Sequence, residues 1–254
     1  QYKDISRAEM DEVALRSNNN VERATNNEDF AEEIVPIMIS QRKKDPIPFD
    51  KDEHFRPGLT LGQLEKMPPA FVPKTGKVTA GNSSGINDGS AALMLMSADR
   101  AKELGLVPLA QIKAVGKGGC HPSIMGLSPV PAVNQLMEKS GLKISDFDLV
   151  EVNEAFAAQY IACERELGLD RSKTNVNGSG IGLGHPVGAT GARLIVTLLH
   201  ALKHQNKGLG LATLCGGGGV AEGSVALGWT YLYVLLVYRV RKWWWEGMWV
   251  WRVS

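Results

Sequence analysis

Between residues 76 and 228, short apolar runs alternate with stretches of helical period, and glycines close most of the helices. Residues 91–96, 109–115, Leu149–Val152, 175–177, 209–214 and 220–227 read as strands. The intervening helices stop at Gly105, Gly141 and Gly168, and another near 190–204 carries Leu194, Ile195, Leu198, Leu199 and Leu202 on one face. Strands alternating with helices constrain the chain to a layered α/β fold, a mixed sheet covered by helices. Upstream, Ser6-Arg7-Ala8-Glu9 is a capping-box start, and the spacing of Met10, Val13, Ala14, Val21 and Ala24 predicts a helix over 7–24. A strand is expected at 34–39. Residues 40–75 are polar and broken by Pro46, Pro48, Pro57, Pro68, Pro69 and Pro73, so little regular structure is expected there.

Charge narrows the function. Lys and Arg total 28 against 27 for Asp and Glu, a net +1 that argues against a nucleic-acid partner held by bulk electrostatics. The 3 cysteines are too few and too scattered for a disulfide framework or a Cys-rich zinc site, so no metal ligand is assigned. The chain begins at Gln1 without Met or a charged-then-apolar leader, so no targeting signal is visible and further residues are expected upstream.

All 6 tryptophans lie between Trp229 and Trp251, which sets the end of the chain apart. The apolar run 225–238 is shorter than the roughly 18–20 residues of a spanning helix. Tryptophan with arginine also suits a membrane surface. A break in composition this abrupt equally marks a segment foreign to the fold, and that is the reading adopted, with no membrane contact of the tail.

Three polar segments follow strands: Asn153-Glu154-Ala155-Phe156, the glycine loop from Asn177 to Gly188, and Cys215 with the glycines 216–219. Loops at strand ends of α/β sheets are where sites are usually assembled. The glycine loop fails the dinucleotide fingerprint, because the third glycine would have to replace Leu183 or His185, and no Gly-Lys-Ser/Thr makes it a P-loop. It leaves His185 among glycines, where backbone N–H groups and a ligand can approach; a lone histidine is also often structural. Cys120 and Cys163 read as inert small hydrophobes. Cys215 differs, since consecutive backbone N–H groups beside a sulfur can lower its pKa or stabilise an oxyanion. Cysteine, histidine and asparagine on separate strand-end loops compose an acyl-transfer constellation.

The ordered set Gly81-Asn82-Ser83-Ser84-Gly85-Ile86-Asn87-Asp88-Gly89, Asn153-Glu154-Ala155-Phe156-Ala157, Gly184-His185-Pro186-Val187-Gly188-Ala189-Thr190-Gly191 and the Cys215 turn resembles the thiolase family, the acetyl-CoA acetyltransferases and 3-ketoacyl-CoA thiolases. The resemblance runs from about residue 1 to about 227. Pro122-Ser123-Ile124-Met125-Gly126 and Ser172 to Asn177 look particularly like the thiolases of fatty-acid degradation, with acetoacetyl-CoA-type members close. It implies residues 1–75 as the later part of a loop domain and 76–105 as the last strand and helix of the first domain. Residues 106–228 would be a complete second domain, with 229–254 a foreign tail.

The implied chemistry is a two-step acyl exchange on coenzyme A and acyl-CoA substrates, with no permanently bound cofactor. Cys215 matches the acid/base cysteine, His185 the histidine that activates the nucleophile and holds the thioester oxygen, and Asn153 the asparagine that positions a water there. Gly217 matches a backbone donor of a second oxyanion hole. Ser84, Met125, Ala155 and Phe156 match the pantetheine channel. Arg42, in the run Arg42-Lys43-Lys44, falls where the family meets the nucleotide end of CoA; a solvated charged loop is the other reading of that run. No counterpart of the family's nucleophilic cysteine occurs, so the chain alone is expected to be inactive, and a non-catalytic CoA- or lipid-binding fragment is the alternative. Family resemblance further implies a homodimer or homotetramer for the full-length parent, in the mitochondrial matrix or cytoplasm. The glycine after Cys215 stands where many members carry a larger apolar residue.

Overall fold

The computed structural model describes residues 4–221 in full and residues 222–228 and 233–235 by their backbone. Helix α1, Arg7–Asn26, starts at the capping box: Ser6 Oγ accepts the Glu9 N–H at 3.1 Å, and the Glu9 carboxylate accepts the Ser6 N–H at 2.8 Å. Its stripe of Met10, Val13, Ala14, Val21 and Ala24 is buried. An antiparallel hairpin follows, β1 Ile37–Gln41 with β2 Lys44–Phe49, and then a short helix α2, Leu61–Glu65. The expectation of little regular structure over 40–75 is corrected by β2 and α2. Every β2 residue is exposed, so no burial period marks it, and an edge strand tolerates Pro46 and Pro48.

Strand β3, Met94–Met96, leads into α3, Ala98–Glu103. The central elements are β4 Gln111–Gly119, α4 Pro129–Ser140, β5 Leu149–Val152, α5 Ala157–Leu167, α6 Gly180–Leu183, α7 Thr190–His204, β6 Leu209–Thr213 and β7 Val220–Gly228. The sheet order is β4-β7-β6-β5; β4 and β6 run antiparallel to β7, while β5 and β6 are parallel with Val152 opposite Thr213. The expected mixed sheet covered by helices is therefore present.

Alternation along β5 divides the core between two faces. Val150 and Val152 join Val133, Leu136, Tyr160 and Ile161 beneath α4 and α5, with α1 on the same side. Leu149 turns to the opposite face and packs with Leu194, Leu198 and Leu202 of α7. Helix α4 lies almost in contact with the β4 backbone. A Cβ at Gly116 would stand 2.1 Å from the Ala132 carbonyl oxygen, and one at Gly118 would stand 2.3 Å from the Ala132 nitrogen. Only glycine permits that approach.

The strand expected at 175–177 is corrected. A single parallel bridge joins Val150 to Thr174, after which Asn175 takes φ +50°, which leaves the extended region. Its side chain stands in for the missing strand: Oδ1 accepts the Val152 N–H at 2.8 Å and Nδ2 donates to the Val152 carbonyl at 2.9 Å.

In the family resemblance the sheet partners of the 91–96 strand lie elsewhere, which leaves an unpaired edge. That expectation is corrected for one of the strand's two edges. Strand β8, Tyr233–Leu235, pairs antiparallel with β3, Met94 opposite Leu235. The remainder of the aromatic tail, 229–232 and 236–254, and with it part of the apolar run 225–238, lies outside the described residues. Among the described residues no helix is long and apolar enough to cross a membrane.

Candidate active site

Two polar turns interlock to form one wall of the site. Asn82 is fully buried; its Nδ2 donates to Asp11 Oδ1 at 2.8 Å and its Oδ1 accepts the Thr79 N–H at 2.9 Å. Held in this way, its carbonyl accepts the Ala157 N–H at 3.0 Å, and the Ser84 N–H reaches the Ala155 carbonyl at 3.0 Å. The glycine-asparagine-serine turn is thus zipped to the segment after β5, and Ser84, Ala155 and Phe156 share one surface.

Glu154 secures that segment from below. It is fully buried and gathers Ser17 Oγ of α1 at 2.5 Å and Asn175 Nδ2 at 2.8 Å. Burial pushes its carboxyl above the ordinary value against these two donors. The sequence reading gives Glu154 no role; it is a structural junction of α1, β5 and the glycine loop.

His185 is positioned at both ring nitrogens. Asn153 Nδ2 stands 3.3 Å from Nε2, and Thr190 Oγ1 stands 2.6 Å from Nδ1. The Thr190 hydroxyl itself donates to the Pro186 carbonyl at 2.9 Å, so Oγ1 accepts from Nδ1–H. These partners assign the proton to Nδ1 and leave Nε2 unprotonated, its lone pair accepting from Asn153 Nδ2–H. Burial, and then the positive charge of Arg193, hold the His185 pKa below its usual value, so the ring is neutral near pH 7. Sequence reasoning missed Thr190, although a hydroxyl five residues after a histidine, at the head of a helix, is a readable signal.

Cys215 follows β6 by two residues and is buried, 7% exposed. Burial raises its thiol pKa, opposed by a hydrogen bond from its own backbone N–H. The turn beyond it folds back: the Gly216 N–H donates to the Val220 carbonyl at 2.7 Å, and a Cβ on Gly216 would stand 2.7 Å from that same oxygen. The glycine after the cysteine is therefore what this tight turn accepts. Gly218 and Gly219 take φ +78° and +86°, and a Cβ on Gly219 would strike the Cys120 carbonyl at 2.3 Å.

One cavity of about 740 Å³ collects these groups. His185, Cys215 and Gly217 line it, as do Ser84, Met125, Ala155 and Phe156. Asn153 is fully buried behind His185. Arg42 is not among the lining residues; it stands exposed at the turn between β1 and β2. Cys163 donates to the Gly126 carbonyl at 3.2 Å and burial pushes its pKa up to about 12, which keeps it an unreactive thiol. Cys120 donates to the Ile124 carbonyl at 3.3 Å, and burial raises its pKa as well.

Comparison with known proteins then adds an independent finding. The family model described as thiolase, C-terminal domain, matches residues 106–227, and the one described as thiolase, N-terminal domain, matches residues 1–99. The chain is 50% identical over 216 residues to an acetyl-CoA acetyltransferase of Cupriavidus necator, a match covering 85% of this chain and 55% of that protein. It superposes on the crystal structure of the Bacillus anthracis acetyl-CoA acetyltransferase with TM-score 0.85 and 51% identity, over 88% of this chain and 56% of the other. A structure of human mitochondrial 3-ketoacyl-CoA thiolase in complex with CoA matches with TM-score 0.80 and 42% identity, over 89% and 56%. The chain spans a little more than half the length of these relatives.

Proposed function

Because this chain belongs to the thiolase family, we propose that it carries the acid/base half of an acyl-CoA C-acyltransferase site. The observation behind this reading is the meeting of Cys215, His185 and the Gly217 backbone around a single cavity. In the reaction proposed, deprotonated Cys215 Sγ removes a proton from the α-carbon of a bound acyl-CoA. The C–H electron pair moves into the enolate, and the proton goes to Sγ. The thioester oxygen that gains charge needs hydrogen-bond donors of its own, and the Gly217 N–H we assign to the second oxyanion hole, which meets the oxygen of the acyl group being transferred. As an attacking thiol adds to the thioester carbon, His185 Nε2 accepts its proton; the charged ring holds the oxyanion by a hydrogen bond and gives the proton to the departing thiolate as the old C–S bond breaks. None of Cys120, Cys163 and Cys215 serves as the nucleophile in this reading. A complete turnover therefore draws that thiolate from a residue other than these three.

The half-reaction at the α-carbon needs no nucleophile and gives the direct test. Incubated with acetyl-CoA in deuterium oxide, the chain should introduce deuterium at the α-carbon faster than buffer alone, as read by mass spectrometry. Exchange at the buffer rate overturns the assignment. If CoA still binds in that case, the non-catalytic binding reading takes its place.

Thr190 supplies a second test. Thr190→Val keeps the shape but leaves His185 Nδ1–H without an acceptor, so the ring should lose its preference for the Nδ1–H tautomer, read from the ring ¹⁵N shifts. Thr190→Ser keeps the hydroxyl and should keep the wild-type tautomer. Equal loss in both variants would reduce Thr190 to a packing role.

A further inference from the structure

The far end of α7 holds a cluster of donors that the site described above does not use. His200 and His204 stand one turn apart on one helix face, and Glu32, in the segment after α1, reaches across to them. One ligand atom from each of the three lies within 4.8 Å of the others. Glu32 Oε2 is 3.9 Å from His200 Nδ1, and the two imidazole rings sit 6.3 Å apart at 66°. His200 is only 9% exposed, yet neither of its ring nitrogens has a hydrogen-bond partner among the described residues. A buried imidazole with both nitrogens unanswered calls for a partner. Glu32 and His204 are exposed, so the open side of the cluster faces solvent.

We propose that Glu32, His200 and His204 form a binding site for a divalent transition-metal ion of the zinc type, with solvent completing a four-coordinate shell. Two imidazoles and one carboxylate suit zinc, nickel or copper far better than calcium or magnesium, which favour all-oxygen sites. Around a tetrahedral zinc at about 2.0–2.1 Å the ligand atoms stand roughly 3.4 Å apart. Rotation of two exposed side chains closes the remaining gap. Lys203 competes for the carboxylate, its Nζ 2.5 Å from Glu32 Oε2. One turn earlier on α7, Thr197 Oγ1 donates to Glu33 at 3.2 Å, so the metal, in place of Lys203, would tie the same segment to the same helix beside that bond. Its effect would be to clamp the helix whose first turn carries Thr190.

Titration calorimetry with Zn²⁺ on the whole chain tests this. One saturable equivalent is expected. His204→Gln, at an exposed position, should weaken it at least tenfold, and Lys203→Met should tighten it severalfold by releasing Glu32. With Co²⁺ as probe, the spectrum should lack a thiolate-to-metal charge-transfer band. Unsaturable binding overturns the proposal. Equal affinity in His204→Gln and wild type, or a thiolate band, does so as well, by assigning the metal to the cysteines.

Discussion

Replacement of Cys215 by alanine should lower the rate of deuterium entry at the acyl-CoA α-carbon by on the order of 10³-fold, within the range for loss of a positioned acid/base. Neither remaining cysteine can substitute. Cys163 is sealed against Gly126 with its pKa up near 12, and Cys120 points its thiol at the Ile124 carbonyl. Cys120→Ala should accordingly stay within about twofold of wild type. The pH profile carries a second signature. Burial holds the Cys215 pKa above the ordinary thiol value of 9.0, so the active thiolate is scarce at neutral pH. The wild-type rate should climb with pH across the neutral and mildly alkaline range without levelling off. Wild-type exchange in Cys215→Ala would remove the sulfur from the mechanism.

The second large effect concerns stability. Glu151 turns from β5 toward α7, is 1% exposed, and stands 3.8 Å from Arg193. Burial pushes its pKa up to about 8 despite that guanidinium, and Glu33 is likewise raised to about 8. In the folded chain these carboxyls keep their protons well above the pH at which the unfolded chain has lost them. The folded state therefore binds more protons, and stability falls as pH rises until the folded pKa is passed.

Three histidines, His54, His185 and His200, have depressed pKa values and act in the opposite sense, but only below their unfolded value of 6.5. The window from about pH 6.5 to 8 thus belongs to the buried carboxyls. One group contributes up to about 1.4 kcal/mol per pH unit, so Glu151→Gln should gain about 2 kcal/mol on wild type between those two pH values. Urea unfolding at both measures it. Parallel wild-type and Glu151→Gln lines would mean that Glu151 is ionised in the fold.

What could be read in advance follows the physics of each segment. Ser6 and Glu9 announce α1 because the cap is a local device, satisfied within four residues. Leu149–Val152 announces β5 because a strand buried on both faces is apolar nearly throughout, and its one exception, Glu151, is the residue that meets Arg193. Strand β1 is expected over 34–39 and found at Ile37–Gln41, whereas β2 escapes because every one of its residues is exposed. Asn175 escapes because a side chain that imitates a strand looks in sequence like strand continuation. Cys215, His185 and Gly217 are legible through their glycines, whereas Thr190 acts through a neighbour. The Glu32, His200 and His204 cluster is half legible: two histidines four apart on an expected helix are visible, but Glu32 is remote in sequence and joins them only in the fold.

The parallel pairing of β5 with β6 has one further bearing, on the order in which the molecule becomes competent. Asn153 and Cys215 emerge from neighbouring strands whose pairing spans a crossover containing α5, α6 and α7. Contacts between such distant segments pay loop closure before they are rewarded, and so form late and cooperatively. The helices can exist in a partly folded chain; the cavity between the strand ends cannot. Competence in this molecule should thus be all-or-none, arriving when the β5–β6 ladder closes and vanishing when its amides lose protection from exchange.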